Sequence, residues 1–374
     1  MRRAAALCAL VACGPAGVAP APAPAQADPR FDPVVGYLRS QVDSAFPGAV
    51  VAVGYQGKVV LLAAVGHYGI DDPRPVTPET VYDLASLTKV IGLTTACMML
   101  VQEGKLDLDA SVARYVPAFQ GPGKERVTIR HLLTHSSGLP AWRPLYTEAT
   151  TRATALALTD TTPLVRQPGD TFVYSDLGAI VLTQAVEAIT GERLDGYLDR
   201  RLFQPLQMTS TRFLPPPAWR DRIAPTERSQ DGTIIRGTVH DENAWKLGGV
   251  SGHAGLFSTA PDLARFASWL LGAWRRDSGQ VRAFTKRQGF PPGSSRALGW
   301  DTPSDNSSGG TKLGPHAFGH TGFTGTSIWL DPERDLVIIL LTNRVHPTRE
   351  NGRIIRVRPR VADLVVHALT LGEP

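Results

Sequence analysis

Ser86-Leu87-Thr88-Lys89 stands at the head of an apolar run that extends from Val90 to Val101. Residues i and i+3 share one face of a helix, so a helix begun here sets the Lys89 amine beside the Ser86 hydroxyl. A serine hydroxyl is a weak nucleophile until a neighbouring group activates it. Of the seven lysines in the chain, only Lys89 has a serine three residues before it. Taken alone, the tetrapeptide also describes a helix-capping serine with a surface lysine one turn on. The apolar residues that follow fit a buried helix, where a solvated lysine has no place.

Two further signals follow in order. Tyr174-Ser175-Asp176 lies where a loop containing Pro168-Gly169-Asp170 gives way to a helical run, and His320-Thr321-Gly322 lies near the end. A serine–lysine pair, a tyrosine motif and a Thr-Gly element in this order resemble the penicillin-recognising serine hydrolases, with their S-x-x-K and K-T-G signatures. In the class C β-lactamase branch the middle element is Y-x-N. His131 to Pro140 (H-L-L-T-H-S-S-G-L-P) and Gly252 to Thr259 (G-H-A-G-L-F-S-T) resemble class C-type esterases and peptidases. Val239-His240-Asp241-Glu242-Asn243-Ala244, with Phe318 to Ser327 (F-G-H-T-G-F-T-G-T-S), is similar to the branch of muropeptide amidases and penicillin-binding carboxypeptidase-like proteins. The resemblance covers nearly all of the chain after the leader.

Residue patterns give the architecture independently. Residues 48–55 and 58–65 are β-rich runs joined at Gln56-Gly57, a hairpin signal, and 325–330 with 336–342 form a second pair. Helical runs cover 87–103, 129–134, 177–190, 194–203, 261–271 and 357–371. Strands at both ends with helices between predict one α/β domain over residues 28–374, with a helical insertion at roughly 86–290. The resemblance implies the same α+β fold of β-lactamase/transpeptidase type: an antiparallel sheet flanked by helices, an inserted all-helical domain, and the site in the cleft between.

The resemblance assigns roles to particular residues. Ser86 is the nucleophile of an acyl-enzyme and Lys89 its partner. Tyr174 is the general base, since a phenol beside a cation can give up its proton. Tyr197-Leu198-Asp199 repeats the spacing inside a helical run and is read as packing. Asp176 stands where the family has asparagine; it either contacts substrate or binds Lys89 directly. His320 stands where the family has lysine and offers at most a part-time charge. Thr321 and Gly322 border the substrate, and the Phe323 and Ser86 N–H groups form the oxyanion hole. His240 either lines the acceptor side of the cleft, joins Asp241, Glu242 or His253 around a metal, or belongs to a hydrogen-bonded loop. His131 and His135 are read as structural. No cofactor or metal is called for. The changes at Asp176 and His320 disfavour anionic ligands such as β-lactams.

Composition narrows the setting. Hydrophobic residues at 43% and charged residues at 20% describe a globular protein. The net charge of +5 falls to +3 without Arg2 and Arg3, too little to argue for nucleic acid. Arg353, Arg356, Arg358 and Arg360 are read as a solvated approach to a helix. Met1-Arg2-Arg3 followed by apolar residues 4–12 is an export signal. It ends either at Ala25-Gln26-Ala27 or at the lipobox-like Leu10-Val11-Ala12-Cys13, which would leave an Ala/Pro tether. Cys97 is the only cysteine beyond this leader and is read as a core residue. The expected protein is an exported serine hydrolase of the periplasm or outer cell envelope, with membrane attachment through a lipid anchor if Cys13 is modified. Its expected partners are the cell wall and a small-molecule or muropeptide substrate, cleaved at a peptide amide or carboxylic ester. The rivals are a catalytically silent peptidoglycan-binding protein, a true β-lactamase and a metallo-amidase.

Overall fold

Strand β1 (Gly48–Tyr55) turns back at Gln56-Gly57 into β2 (Lys58–Gly69), pairing Tyr55 with Lys58. Both turn residues have positive φ, 49° and 75°, the hand that matches strand twist in a two-residue hairpin. The computed structural model describes residues 28–370, so the leader readings lie outside the described residues. Strand β3 (Asp72–Pro75) pairs with β2 at one edge. Three short strands follow in sequence, β4 (Tyr82–Asp83), β5 (Arg212–Phe213) and β6 (Leu256–Ser258), forming a separate small sheet in the order β4-β6-β5. The last three, β7 (Phe318–Thr321), β8 (Ser327–Asp331) and β9 (Leu336–Thr342), complete a six-stranded antiparallel sheet in the order β3-β2-β1-β9-β8-β7. The N-terminal hairpin and the C-terminal strands thus meet at β1 and β9, with Ala49 opposite Thr342 and Tyr55 opposite Leu336.

Side-chain alternation divides the interior into two layers. Ala49, Val51 and Val53 of β1, with Leu336, Ile338 and Leu340 of β9, pack against the helices Asp32–Gln41 and Ile354–Thr370. Val50, Ala52, Val337, Ile339 and Leu341 face the opposite way, into a larger core shared with the helix Ala260–Arg275. That helix starts at Thr259, whose side chain accepts from the Asp262 N–H, and buries Leu263, Phe266, Ala267, Leu270 and Leu271. Their i, i+3, i+4, i+7, i+8 spacing is the stripe expected of a helix laid on a sheet. All seven residues of β9 are buried, which is why it reads as a continuous apolar run rather than an alternating one.

Most other helices lie between β4 and β7, including Ile129–Leu133, Arg152–Thr161 and Asp176–Thr190. The span 86–290 also carries β5 and β6. Two elements of this fold place the site. Strand β7 is one edge of the large sheet, bridged at Gly319 by Asp301, and the segment after β4 carries Ser86 past the end of that edge.

Candidate active site

Ser86 follows a strained residue. Ala85 holds φ at 46°, a left-handed conformation that costs a non-glycine residue about 1–3 kcal/mol. The buried Asp83 carboxylate supports it by accepting from the Ala85 N–H at 2.8 Å. The chain then enters a π-helical turn, Lys89–Thr94, before the regular helix Thr95–Gln102; such turns concentrate at functional sites. Sequence periodicity predicted one helix over 87–103 and does not distinguish this wider opening turn.

Lys89 is buried, and three oxygens surround its ammonium. Nζ lies 3.0 Å from Ser86 Oγ, 2.9 Å from the His253 carbonyl oxygen and 2.7 Å from Asp176 Oδ1. Burial alone would lower the Lys89 pKa, but the Asp176 carboxylate and the Tyr174 phenol outweigh it and raise it above the ordinary lysine value. Lys89 is a fixed cation here. Asp176 accordingly faces Lys89 rather than lining the cavity, so of the two readings for Asp176 the geometry is that of the lysine partner.

Tyr174 stands over the same ammonium, with Nζ 4.9 Å from its ring centroid. Its loop is pinned to residues 135–141. The Val173 N–H donates to the His135 carbonyl at 2.8 Å, the Ser175 N–H to His135 Nδ1 at 3.1 Å, and the Asp176 N–H to the Ala141 carbonyl at 2.9 Å. The Ser175 hydroxyl donates to the Pro140 carbonyl at 2.7 Å and caps the helix behind it. Burial, then the Arg296 and Lys89 cations, hold His135 well below the ordinary histidine value, so its ring is a neutral prop. The Tyr174 hydroxyl is buried and has no partner among the described residues. Tyr197 packs away from the cavity in the helical core beneath Arg200 and Arg201, its hydroxyl likewise buried without a partner among the described residues.

A cavity of about 410 Å³ opens above these groups, lined by Ser86, Tyr174, His320, Thr321, Gly322 and Phe323, with Arg296, Arg344 and Arg358 among the other lining residues. His320 Nδ1 donates to the Thr321 carbonyl at 2.8 Å, because a carbonyl only accepts. Burial, followed by the Arg296 and Lys89 cations, pushes the His320 pKa well below the usual value. The residue expected to be a part-time cation is therefore a neutral ring whose Nε2 is a buried acceptor without a partner. Arg296 supplies the positive charge instead. Its guanidinium lies 5.5 Å from the Tyr174 ring centroid, its Nη1 is buried and unpartnered, and its nearest carboxylate contact is Asp301 at 3.9 Å. The expectation of a cleft hostile to anions is corrected by this residue, which no sequence motif marks.

The side expected to hold the oxyanion is built by close approach. A Cβ on Gly322 would stand 2.2 Å from Thr326 Oγ1 and 2.3 Å from the Leu84 carbonyl oxygen, so only glycine lets the end of β7 meet the Ser86 turn. Neither the Ser86 nor the Phe323 main-chain N–H donates to another described residue. Arg344 fixes Phe323 by donating to its carbonyl at 2.7 Å while lying 4.3 Å from its ring centroid. Arg358 donates to the Gly322 and Thr326 carbonyls at 2.6 and 3.0 Å. Burial and the Arg344 cation pull its pKa down to about 9. It belongs to the site rather than to a solvated helix approach.

His240 does not line the cavity. Its N–H donates to Asp83 at 2.7 Å, its Nε2 meets Glu227 at 3.0 Å, and its ring stacks on Phe323 at 5.8 Å. Its main-chain N–H, its Nε2 and one ring face are thus engaged behind the Phe323 wall. Of the open readings for this segment, the hydrogen-bonded loop is the one observed. Among the described residues, no three His, Cys, Asp or Glu side chains gather to hold a metal ion.

A family model described as Beta-lactamase matches residues 30–362. The chain belongs to the beta-lactamase family. A relative from Salmonella typhi, provisionally named a D-alanyl-D-alanine carboxypeptidase, is 33% identical over 368 residues, spanning 85% of this chain and 84% of its own. A penicillin-binding protein homologue from Caulobacter crescentus superposes with a TM-score of 0.74 at 20% identity, over 91% of this chain and 98% of its own. The octameric penicillin-binding protein homologue from Pyrococcus abyssi gives 0.70 at 23% identity, over 91% and 77%. These likenesses establish a fold of the β-lactamase and penicillin-binding type, as the motif order implied.

Proposed function

We propose that this beta-lactamase-family protein is an exported serine hydrolase that forms an acyl-enzyme at Ser86, on peptidoglycan-derived peptide amides or on carboxylic esters whose leaving group bears a carboxylate. The observation that carries this reading is the division of labour around one cavity. Ser86 Oγ touches a fixed Lys89 cation, while the Tyr174 hydroxyl, His320 Nε2 and Arg296 Nη1 are buried and unpartnered. Buried polar atoms are nearly always bonded, so these orphans, with Arg358 Nε on the same cavity, mark atoms that a ligand completes. The provisional name of the Salmonella relatives agrees with a peptide that ends in a free carboxylate.

The geometry supports a specific sequence of steps. Ser86 Oγ attacks the carbonyl carbon, and the Ser86 and Phe323 N–H groups take up the charge that develops on its oxygen. A fixed ammonium cannot accept the serine proton, so the base in these steps is Tyr174 acting as the phenolate, its ring standing over the same ammonium. Tyr174 returns it to the leaving amine or alkoxide as the C–N or C–O bond breaks. Water then attacks the ester at Ser86 by the same route, releasing the acid and restoring the hydroxyl. Arg296 holds the leaving group's carboxylate.

The test is a panel read by mass spectrometry: a muropeptide ending in two alanines, its C-terminal amide, a nitrophenyl ester and a cephalosporin. Loss of one terminal alanine from the free acid, with slower reaction of the amide and none in Ser86→Ala, is the expected result. Turnover that survives Ser86→Ala and dies in chelator would overturn it in favour of the metallo-amidase. Faster turnover of the cephalosporin than of peptide or ester favours the second reading, a true β-lactamase, which Arg296 keeps open because it would hold a β-lactam carboxylate equally well.

A further inference from the structure

Behind Lys89 lies a hydrogen-bonded chain that the steps above do not use. The Ser251 hydroxyl meets His253 Nδ1 at 2.7 Å, and His253 Nε2 meets Asp241 Oδ1 at 2.9 Å. The composition is that of a serine–histidine–acid triad, but Ser251 and His253 are both buried, 2% and 1% exposed, so no substrate reaches this serine. The significant atom is on the backbone. The His253 carbonyl oxygen is the one that receives Lys89 Nζ at 2.9 Å.

The loop around this carbonyl is tightly held. Ser251 bridges to Ala254 across a turn, and the Gly252 N–H donates to Thr183 Oγ1 at 2.9 Å. A Cβ on Gly252 would stand 2.4 Å from that oxygen and 2.7 Å from Leu93 Cδ2, so the turn is wedged between two helices. These contacts limit translation of the loop. The His253 side chain adds a further hold on the residue that bears the carbonyl, because its two ring nitrogens are both engaged. Asp241 is itself fixed, because the same Oδ1 accepts the Ala244 N–H at 2.7 Å as the cap of helix Glu242–Lys246.

We propose that His253 and Asp241 are positioning residues: the ring, bonded to the carboxylate, locks the His253 carbonyl onto Lys89 and so keeps the ammonium against Ser86. This rests on the reading of Ser86 and Lys89 as the reacting pair. Lys89 has three protons and three surrounding oxygens. Loss of the carbonyl leaves one proton to be satisfied by rotating the ammonium, which draws it away from Ser86 Oγ. Small misplacements at a reacting centre are expensive, about 100-fold in rate for 1 Å.

The test compares His253→Phe, which keeps a flat ring and loses both bonds, with His253→Gln, which keeps a donor for Asp241. Turnover of a nitrophenyl ester is measured beside thermal melting, with Ser86→Ala as the control. The expected result is a kcat about 10- to 100-fold lower for His253→Phe, with KM within about two-fold, and substantial recovery in His253→Gln. Asp241→Ala should lower kcat similarly, and adding it to His253→Phe should cost little more, because the pair acts as a unit. Should His253→Phe fail to fold, Asp241→Asn, which retains an oxygen for the Ala244 N–H, should still lower kcat at unchanged KM. A folded His253→Phe with unaltered kcat, beside an inert Ser86→Ala, would overturn the proposal alone. An active Ser86→Ala would overturn the functional reading and this proposal with it.

Discussion

The two walls of the cleft are built on opposite principles. On the wall that carries Ser86, the Lys89 cation is enclosed by Asp176, the His253 carbonyl and Ser86 itself. On the wall that carries β7, His320 Nε2 and Arg296 Nη1 are buried with no partner among the described residues, and the Tyr174 hydroxyl between the walls shares that state. Enclosure fixes a protonation state in advance, so no reorganisation is needed when the serine attacks. Open valences leave an affinity to be collected by the ligand. In the proposed function the first wall carries the chemistry and the second the selection.

The contrast is broken most severely by removing the enclosed cation. Lys89→Met leaves the Asp176 carboxylate uncompensated, and breaking a buried pair from one side costs about 3–5 kcal/mol. We expect turnover to fall by on the order of 10³-fold, with a urea midpoint well below that of the unaltered protein. Next is Tyr174→Phe, expected to lose about 10²- to 10⁴-fold as a general base does, whereas Tyr197→Phe should stay near the starting rate. Equal rates for the two in a steady-state ester assay would show that the phenol between the walls has no chemical role.

Arg296→Gln sharpens the comparison from the selective side. A hydrogen bond to a charged group is worth about 1.5–3 kcal/mol. KM for the free-acid peptide should therefore rise by about ten-fold or more, while KM for its C-terminal amide barely moves and kcat on a nitrophenyl ester is retained. The smallest effect is on stability against pH. His135 and His320 are held well below the ordinary histidine value by burial. In the unfolded chain they take up protons near pH 6.5, so below that pH the unfolded state binds more protons and stability falls. Their contribution is complete above about pH 6.5 and is lost as pH drops towards the folded-state values, at up to about 1.4 kcal/mol per pH unit for each group. Urea midpoints between pH 7.5 and 5 should decline, and His320→Gln should flatten that decline.

The first wall was legible in the sequence; of the second, the segment from His320 to Phe323 was legible as lining the cavity, and the source of its positive charge was not. Ser86 and Lys89 are three residues apart on one turn, and Tyr174 sits in a short motif at a loop–helix junction, so local spacing carries them. The β1–β2 hairpin was equally plain, because Gln56-Gly57 interrupts two apolar runs. Arg296 comes from a loop with no periodicity, and only the tertiary fold brings it to Tyr174. Arg358 belongs to a cluster of arginines in which nothing local singles out the one that turns towards the Gly322 and Thr326 carbonyls. His240 failed for the converse reason. Its neighbourhood in sequence suggested a ligand, but residues outside that neighbourhood engage it: Asp83 takes its N–H, Glu227 its Nε2 and Phe323 one ring face. Spacing reports contacts within one element, and the missed residues of this cleft are placed by contacts between elements.

The most direct test of the central claim is to trap the acyl-enzyme. The protein is mixed with a slowly released ester or peptide, quenched in acid within a turnover, digested and mapped by mass spectrometry. The account predicts one acyl group, on the peptide containing Ser86, absent from Ser86→Ala and accumulating at the rate of the first product. Undiminished turnover with no acyl group on that peptide, or an acyl group on another residue, would contradict it.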